Sequence, residues 1–368
     1  MPCIINPVIF LRFKLGRVKT SLLYIGDNYL PLFALFFHEK IINLVAMFSK
    51  KFIFLIFLLP TLGQPDAEND ISISSLIFFD ATYSPESSSK ISSFNITRSY
   101  LNFRKTFFDN FHTRVTIDAS RTTGDQRQTF FLKYGYLDWN TSFGSFLLGM
   151  QPTNYFGPII PTWGLRFIEK YPTDRIGFDP TSDVGISFKK QILSEWLVHV
   201  AIYNGGGYKK SENDSHKRTS FLLSYGEQKL NINPGWNGGI MFSHEPYDYN
   251  IKVALKNRFS LFGGIATDQL RIGLEFTKLN DNGINRTQTF VSFYGNIFTN
   301  QSTSVFIRGD IFDPSTDEKN DKKSYFIVGF NYEPNPSVSI SPNFRYTLYE
   351  PNNTASESLI KLNFQFKL

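Results

Sequence analysis

Residues 358–368 read Ser-Leu-Ile-Lys-Leu-Asn-Phe-Gln-Phe-Lys-Leu, and every even-numbered position from Ile360 onward is apolar. The odd-numbered positions between them are polar, namely Lys361, Asn363, Gln365 and Lys367. Strict alternation puts apolar side chains on one face of an extended chain and polar side chains on the other. The segment therefore predicts a β-strand with one face toward an apolar medium and one face toward water.

Segments with this alternation recur along the chain and together predict sixteen strands. A series of alternating segments of about 10 residues is typical of a transmembrane β-barrel, and sixteen strands leave an aqueous channel inside. We therefore predict an all-β fold, a 16-stranded antiparallel transmembrane β-barrel. Its predicted strands cover residues 71–83, 92–105, 111–120, 128–139, 144–151, 183–190, 194–203, 218–226, 237–245, 257–266, 268–278, 287–297, 302–311, 324–333, 337–348 and 357–368.

The joins between these strands alternate between long and short. Short turns at one end and long loops at the other are typical of outer-membrane barrels, with the short turns on the periplasmic side. An even number of strands places both ends of the barrel at the short-turn end. This pattern depends on assigning residues 247–257 to a loop.

The charged residues within the strands predict which face points inward. In residues 270–276, Leu-Arg-Ile-Gly-Leu-Glu-Phe, the apolar positions face lipid, so Arg271 and Glu275 face the lumen. A charge facing lipid at the bilayer midplane would cost about 2–4 kcal/mol, which selects this register. The same reasoning predicts a polar, hydrated interior that also holds Arg114, Asp118, Arg308 and Asp310.

The longest join, residues 152–182, follows the fifth predicted strand and contains aromatic, proline and charged residues. A loop of this length without a strand pattern is usually functional or disordered. We predict that it folds into the lumen as a constriction. Among its charged residues, Arg166 and Arg175 are the preferred constriction residues.

The N-terminal part follows the plan of a secretory signal peptide over residues 47–63. Lys50 and Lys51 are basic, residues 52–59 are apolar, and Gly63 lies near a plausible cleavage point. We therefore interpret residues 1–46 as a misassigned upstream extension and residues 64–368 as the barrel. The alternative is a membrane anchor built on the apolar run at residues 30–37.

Composition restricts the function classes. Seven of the 38 Lys and Arg residues and two of the 32 Asp and Glu residues precede residue 64, so the remainder has a net charge of only +1. This balance gives no indication of a nucleic-acid partner. Because the only cysteine is Cys3, disulfides and cysteine-based metal sites are excluded from residues 64–368. No pair among the five histidines has metal-ligand spacing, no serine carries a recognisable catalytic motif, and we predict no cofactor.

Several short segments carry a resemblance to a known family: residues 94–103 (Phe-Asn-Ile-Thr-Arg-Ser-Tyr-Leu-Asn-Phe), 147–152 (Leu-Leu-Gly-Met-Gln-Pro), 174–178 (Asp-Arg-Ile-Gly-Phe), 185–188 (Gly-Ile-Ser-Phe), 201–208 (Ala-Ile-Tyr-Asn-Gly-Gly-Gly-Tyr), 308–314 (Arg-Gly-Asp-Ile-Phe-Asp-Pro) and 327–332 (Ile-Val-Gly-Phe-Asn-Tyr). In order and spacing they resemble Gram-negative porins, in particular the branch near the phosphate-selective porin O/P type. The resemblance covers roughly residues 71–368.

The resemblance implies a trimer of 16-stranded barrels in the outer membrane of a Gram-negative bacterium, with the third outer loop folded into the pore. Its implied partners are the lipid bilayer with its lipopolysaccharide, the outer-membrane assembly machinery and small solutes or anions. The family's assembly signal is a terminal aromatic residue, whereas this chain has Leu368 last and Phe366 two positions before it. The phosphate-selective members use ladders of basic residues, whereas this lumen mixes both signs of charge.

These expectations agree on a passive diffusion channel for small hydrophilic solutes or ions, with a weak anion bias and no enzymatic activity. Two alternatives are a hydrolase embedded in the barrel, which needs a clustered nucleophile and base, and a plugged structural or adhesive barrel. A soluble β-sandwich is disfavoured because the alternation extends over all sixteen segments. The predicted pore-lining and constriction residues are Arg98, Arg104, Arg114, Asp118, Lys133, Arg166, Glu169, Asp174, Arg175, Arg271, Glu275, Arg308, Asp310 and Arg345.

Overall fold

The computed structural model describes residues 71–85, 92–121, 128–193, 195–212, 214–350 and 354–368. The predicted upstream extension, the signal peptide and the alternative anchor all lie outside the described residues. In the part of the chain that is described, no helix is long and apolar enough to cross a membrane.

Sixteen antiparallel strands form a closed barrel in which each strand pairs with its neighbours in sequence and the first pairs with the last. The predicted 16-stranded barrel is thereby confirmed. The strands are β1 (Ser72–Tyr83), β2 (Ser92–Phe107), β3 (Phe111–Arg121), β4 (Gln128–Thr141), β5 (Gly144–Pro152), β6 (Ser182–Ile192), β7 (Trp196–Tyr203), β8 (Arg218–Gly226), β9 (Gly235–Tyr249), β10 (Lys252–Ala266), β11 (Leu270–Asp281), β12 (Arg286–Asn300), β13 (Thr303–Asp313), β14 (Lys323–Asn335), β15 (Val338–Tyr349) and β16 (Glu357–Lys367).

The seam between β1 and β16 closes the barrel. Leu76 lies opposite Lys367, and Tyr83 lies opposite Ile360. The Ser75 amide donates to the Leu368 carbonyl at 2.7 Å, and the Leu368 amide donates back at 2.9 Å. Closure leaves no strand edge unpaired, which removes the site at which sheets aggregate.

The outer surface of the strands is an apolar band. Leu274, Phe293 and Ile307 are about half exposed, whereas the charged neighbours Arg271 and Arg308 point inward and are buried. Soluble monomers rarely expose so large an apolar surface, whereas lipid covers it in a membrane barrel.

The assignment of residues 247–257 to a loop is wrong. Strand β9 continues to Tyr249, β10 begins at Lys252, and a two-residue turn joins them at Asn250, whose φ of 56° is left-handed. Asparagine tolerates this conformation better than most residues. The apolar residues Ile251, Val253 and Leu255 occupy every second position here, so the alternation was visible, and the expectation of a long join at this end outweighed it. Conversely, the short-turn end has one longer join, residues 227–234.

The segment between β5 and β6, residues 153–181, is hereafter the inner loop. It contains helix α1 (Phe156–Trp163) and the short helix α2 (Pro172–Arg175). Loop and barrel side chains form one buried apolar cluster, made by Tyr155, Phe156, Ile159, Trp163, Leu165, Phe167, Ile168 and Tyr171 of the loop and by Phe78, Tyr100, Leu222, Met241, Phe262, Tyr294, Phe306, Tyr325 and Ile327 of the barrel. The loop is therefore a packed structure inside the barrel.

Candidate functional site

One side of the barrel, from β8 to β15, holds the inner loop by means of arginines and is hereafter the anchoring wall. Asp179 of the loop accepts from Arg218 at 2.6 Å and from Arg258 at 2.8 Å. All three side chains are nearly inaccessible to solvent. A buried carboxylate between two guanidinium groups satisfies charge and hydrogen bonding together, so this contact fixes the end of the loop.

Two further arginines of the anchoring wall bind the middle of the loop. Arg345 pairs with Glu169 at 2.7 Å, and its guanidinium also donates to the Ile168 carbonyl. Arg308 pairs with Asp310 of its own strand at 2.7 Å and donates to the Lys170 carbonyl at 2.6 Å. These guanidinium groups are engaged with the loop and with strand carboxylates.

The carboxylate of Glu169 has an unusual environment. Burial alone would raise its pKa, but the positive charges of Arg345, Arg308 and Arg175 and a hydrogen bond from Tyr325 lower the pKa to about 2. Glu169 is therefore ionised at neutral pH and holds the loop as an anion.

The end of helix α1 is fitted closely to the anchoring wall. Gly164 follows the helix with a φ of 68°, which favours glycine. A Cβ at this position would overlap the guanidinium of Arg271, which donates to the Trp163 carbonyl at 3.3 Å. Deeper in the same region, the buried Glu275 accepts from Tyr294 at 3.0 Å.

Two cavities lie on the other side of the loop, along β1 to β4, which is hereafter the passage wall. The long-loop cavity, of about 770 Å³, is lined by seven cationic and two acidic side chains. The two acids are already paired, Asp80 with Lys361 at 3.1 Å and Glu169 with Arg345. Its cations are Arg98, Arg166, Lys170, Lys209, Lys210, Arg345 and Lys361.

The short-turn cavity, of about 410 Å³, opens near the seam of β1 and β16 and is lined by five cationic side chains, with no acidic side chain among its described lining residues. Phe78 and Arg166 belong to the lining of both cavities. These two residues therefore mark the boundary between the cavities. The cations of the short-turn cavity are Arg104, Arg114, Lys133, Arg166 and Lys367.

A third cavity, of about 360 Å³, adjoins the long-loop cavity and shares Arg98, Lys170, Lys209 and Lys210 with it. Its lining includes seven cationic and three acidic side chains. The whole space outside the loop is therefore bordered by more positive than negative charge.

Two β-bulges change the direction in which side chains of the passage wall point. Phe78 pairs with Arg98 but Phe79 pairs with Ile96, which leaves one extra residue in β2. In β4 the extra residue is Lys133. A bulge interrupts the period of two and re-aims side chains, so Lys133 and its neighbour Tyr134 are both buried inside the barrel.

Three cations of the passage wall line the short-turn cavity and have no carboxylate within ion-pair distance among the described residues: Arg104, Arg114 and Lys133. The Lys133 ammonium lies 3.4 Å from the Tyr100 hydroxyl and 3.3 Å from the Thr181 hydroxyl. Arg114 donates to Thr116 and Asn102 at 3.0 and 2.9 Å. Lys133 and Arg114 are therefore held by hydroxyl and amide groups rather than by carboxylates.

The predicted site residues divide between the two walls. Arg98, Arg104, Arg114, Lys133 and Arg166 line the short-turn or long-loop cavity, as do Glu169 and Arg345. Asp118 is paired with Arg98, and Asp174 is paired with Arg166 at 3.0 Å. Five further predicted residues lie outside the lining of the three cavities. They are Arg175 of the loop, which pairs with Asp310 at 3.0 Å, and the strand residues Arg271, Glu275, Arg308 and Asp310.

Sequence reasoning missed the aromatic residues of the cavities. Tyr100 lies two residues after Arg98 on the same strand face, so alternation was a usable signal for it. Tyr134 was hidden by the bulge, and Tyr171 and Tyr208 belong to loops without periodicity. Tyr208 accepts from Arg98 at 2.9 Å and donates to Asp118 at 2.7 Å.

The described pair closest to a hydrolytic arrangement is Ser187 with His199. Their Oγ and Nε2 atoms are 3.0 Å apart. However, the Ser187 hydroxyl donates to the Gln151 side chain, and both residues are buried. A hydroxyl that donates elsewhere is not poised to give its proton to the imidazole, so the geometry does not favour a nucleophile and base.

Comparison with known proteins gives structural matches. No protein-family model matches the sequence, and no curated protein matches it significantly. The chain is similar to an anion-selective porin from Comamonas acidovorans, with 9% identity and a TM-score of 0.60 over 82% of this chain and 100% of that chain. It is also similar to OmpF of Salmonella typhi, with 8% identity and a TM-score of 0.61 over 82% of this chain and 98% of that chain. A third match is the outer-membrane channel DcaP of Acinetobacter baumannii, with 11% identity and a TM-score of 0.57 over 83% of this chain and 99% of that chain. At such low identity, the similarity shows a shared fold.

Proposed function

We propose that the protein is an outer-membrane diffusion channel that admits small hydrophilic solutes and favours anions. The observation that carries this proposal is the charge of the lumen. The short-turn cavity is lined by five cations and no acidic side chain among its described lining residues. The long-loop cavity is lined by seven cations, of which Arg166 belongs to both cavities, and by two acids, each paired with one of those seven. Such a surface concentrates anions at the narrowest part of a pore and repels cations.

The fold supports the location and direction of the channel. A closed barrel with an apolar outer band fits a bilayer, and the structural neighbours named above are outer-membrane proteins. The end of the barrel at which the turns are mostly short would face the periplasm, and the longer loops at the other end would face the lipopolysaccharide of the outer leaflet. Passage down a gradient needs no cofactor and no chemical step.

Planar-bilayer conductance of the purified full chain tests the proposal. In a KCl gradient we expect stepwise current and a reversal potential that is shifted from zero toward the equilibrium potential of chloride. A well-folded barrel that passes no current would refute the channel and would favour the plugged structural barrel. A reversal potential shifted toward the equilibrium potential of potassium would be consistent with a channel but would refute the anion preference.

Two finer predictions concern assembly and solute. The trimer implied by the sequence resemblance is checked by the mass of the detergent-extracted protein. Selectivity for phosphate is checked by adding inorganic phosphate during chloride conduction. Since Asp118 is paired with Arg98 beside the cavities, we expect a general preference for anions, with weak inhibition by phosphate.

The hydrolase alternative has no comparable support. The buried Ser187 and His199 pair lacks an available hydroxyl proton, and the described residues that line the short-turn cavity include serines but no histidine or acidic side chain to act as a base. We therefore propose no catalytic role.

A further inference from the structure

The short-turn cavity combines positive charge with an apolar surface. Three tyrosine rings, of Tyr100, Tyr134 and Tyr171, line it together with Leu76 and Phe78. Its volume of about 410 Å³ lies within the usual range of small-molecule sites, which is roughly 300–1,000 Å³. The cavity is therefore large enough for one organic solute with a six-membered ring.

Each of these rings carries a cation on its face. The Arg114 guanidinium lies 4.4 Å from the Tyr134 ring centre, and the Lys133 ammonium lies 4.9 Å from the Tyr100 ring centre. Arg166 has the same relation to Tyr171, at 4.8 Å, although it is also paired with Asp174 outside this cavity.

A ring holds a cation differently from a carboxylate. The quadrupole of the ring attracts the charge but does not neutralise it, and it takes few of the cation's hydrogen-bond donors. Lys133 and Arg114 are therefore held in place while they remain able to bind the carboxylate of a solute. The edges of the same tyrosines offer packing to an aromatic ring, worth about 0.5–1.5 kcal/mol beyond burial.

The long-loop cavity lacks this combination. It is lined by lysines and arginines with Phe78 and Phe167, and none of its described lining residues is a tyrosine. It attracts anions of any kind, whereas the short-turn cavity adds a contact that depends on the shape of the solute.

We propose that the short-turn cavity binds aromatic carboxylates, so that the channel prefers these anions over small inorganic ones. The inference rests on the proposed function, because it names a solute class for the same passage. The carboxylate would be bound by Lys133 and Arg114, and the ring would pack against Tyr100 and Tyr134.

The test measures how added anions reduce the chloride current of the full-length protein in a planar bilayer. Benzoate is the probe, acetate supplies the same charge without a ring, and benzyl alcohol supplies the ring without the charge. We expect benzoate to reduce the current saturably at about one-tenth of the acetate concentration, since one aromatic contact is worth about 1.4 kcal/mol. Benzyl alcohol should have no such effect.

Two variants locate the effect. Tyr134→Leu should reduce the tenfold preference for benzoate to less than about threefold, whereas the same change at the lipid-facing Tyr332 should leave it intact. If Tyr134→Leu fails to fold, Tyr100→Leu, at the other ring named in the proposal, serves the same purpose. Lys133→Met should weaken benzoate and acetate together and leave their ratio near its original value.

The outcomes separate the two proposals. A chloride current that benzoate and acetate reduce equally would overturn the aromatic preference and leave the anion channel standing. A preference for benzoate that survives both tyrosine changes would place the binding elsewhere and also overturn the inference. Absence of any chloride current would instead refute the proposed function.

Discussion

The anchoring wall and the passage wall carry similar cations in different surroundings. On the anchoring wall, Arg308 and Arg345 are buried, are paired with carboxylates and donate to carbonyls of the inner loop. On the passage wall, Arg114 and Lys133 touch hydroxyls, amides and aromatic rings, and no carboxylate pairs with them among the described residues. The same charge therefore serves attachment on one side and, in our proposal, selectivity on the other.

The difference shows that an inward-facing arginine is informative only together with its partner. A buried ion pair recovers its desolvation cost only when the geometry is good, and removal of one partner leaves an uncompensated charge. Arg104 of the passage wall is exposed and has no carboxylate partner among the described residues, so its removal carries no such penalty. We therefore expect substitutions on the anchoring wall to change stability and those on the passage wall to change ion selectivity.

The largest expected effect is on the anchoring wall. Arg308→Met would remove the nearer of two cations from the fully buried Asp310, which keeps Arg175 of the loop at 3.0 Å, and would also remove the donor to the Lys170 carbonyl. We expect the free energy of unfolding to fall by about 3–5 kcal/mol, measured by urea unfolding in lipid vesicles. Arg104→Met, on the passage wall, should change it by less than about 0.5 kcal/mol.

A double variant sharpens that result. Arg308→Met combined with Asp310→Leu removes both buried charges and leaves only Arg175, which is partly exposed, without its carboxylate, so it should be more stable than Arg308→Met alone. Equal stability of the single and double variants would mean that the pair contributes little and that the two walls do not differ as described.

The second prediction concerns the pH dependence of the loop attachment. Because the pKa of Glu169 is lowered to about 2, its ionised form stabilises the folded protein above about pH 4.5. This contribution, roughly 3 kcal/mol at most, should be lost as the pH falls from about 4.5 toward 2. The difference in unfolding free energy between the unchanged protein and Glu169→Gln should therefore be constant above pH 5 and shrink below it.

An exposed glutamate provides the control. Glu318→Gln, in the loop before β14, should show no such change because its side chain is more than half exposed. If Glu169→Gln gives a difference that does not vary between pH 6 and pH 3, the attachment does not depend on the ionised carboxylate.

Much of the fold could be predicted from the sequence because lipid imposes a simple rule. Where β11 crosses the apolar band, Leu274 must face out and Glu275 must face in, and this constraint produces the visible period of two. At the β9–β10 hairpin, Ile251, Val253 and Leu255 alternate in the same way, but the expectation of a long join concealed the tight turn at Asn250. The bulge at Lys133 was hidden for a different reason, since one extra residue shifts the period without changing composition.

The roles of the inward-facing charges depended on contacts that are distant in sequence. The pairing of Glu169 with Arg345 joins residues 176 positions apart, and no local pattern indicates it. Arg308 and Lys133 look equivalent as inward cations in alternating strands. However, Arg308 pairs with Asp310 and donates to a loop carbonyl, whereas Lys133 contacts a hydroxyl of the loop and lines the short-turn cavity. The path of the inner loop decides which cations remain open, and this path follows from its packing against the wall.

A smaller effect is expected where helix α1 meets the anchoring wall. Gly164→Ala would place a Cβ in a left-handed backbone and against Arg271, at a cost of about 1–2 kcal/mol in unfolding free energy. Gly157→Ala, in the same helix with open space around the position, should be neutral or slightly stabilising. Equal stability of the two variants would show that the close fit of the loop end contributes nothing.

The smallest energetic effect is expected on the passage wall, and it should appear in the ion selectivity of the channel rather than in the free energy of unfolding. Lys133→Met removes one unpaired charge from the short-turn cavity. At an effective dielectric constant of 20, one charge about 8 Å from a passing ion is worth at most about 2 kcal/mol, and salt reduces it further. We expect the chloride-to-potassium permeability ratio to fall several-fold in the bilayer measurement, whereas Lys278→Met, the same change at an exposed position of β11, should leave it unchanged. An unaltered ratio in Lys133→Met would mean that selectivity is set by the long-loop cavity, where Lys209 and Lys210 would be the next positions to substitute.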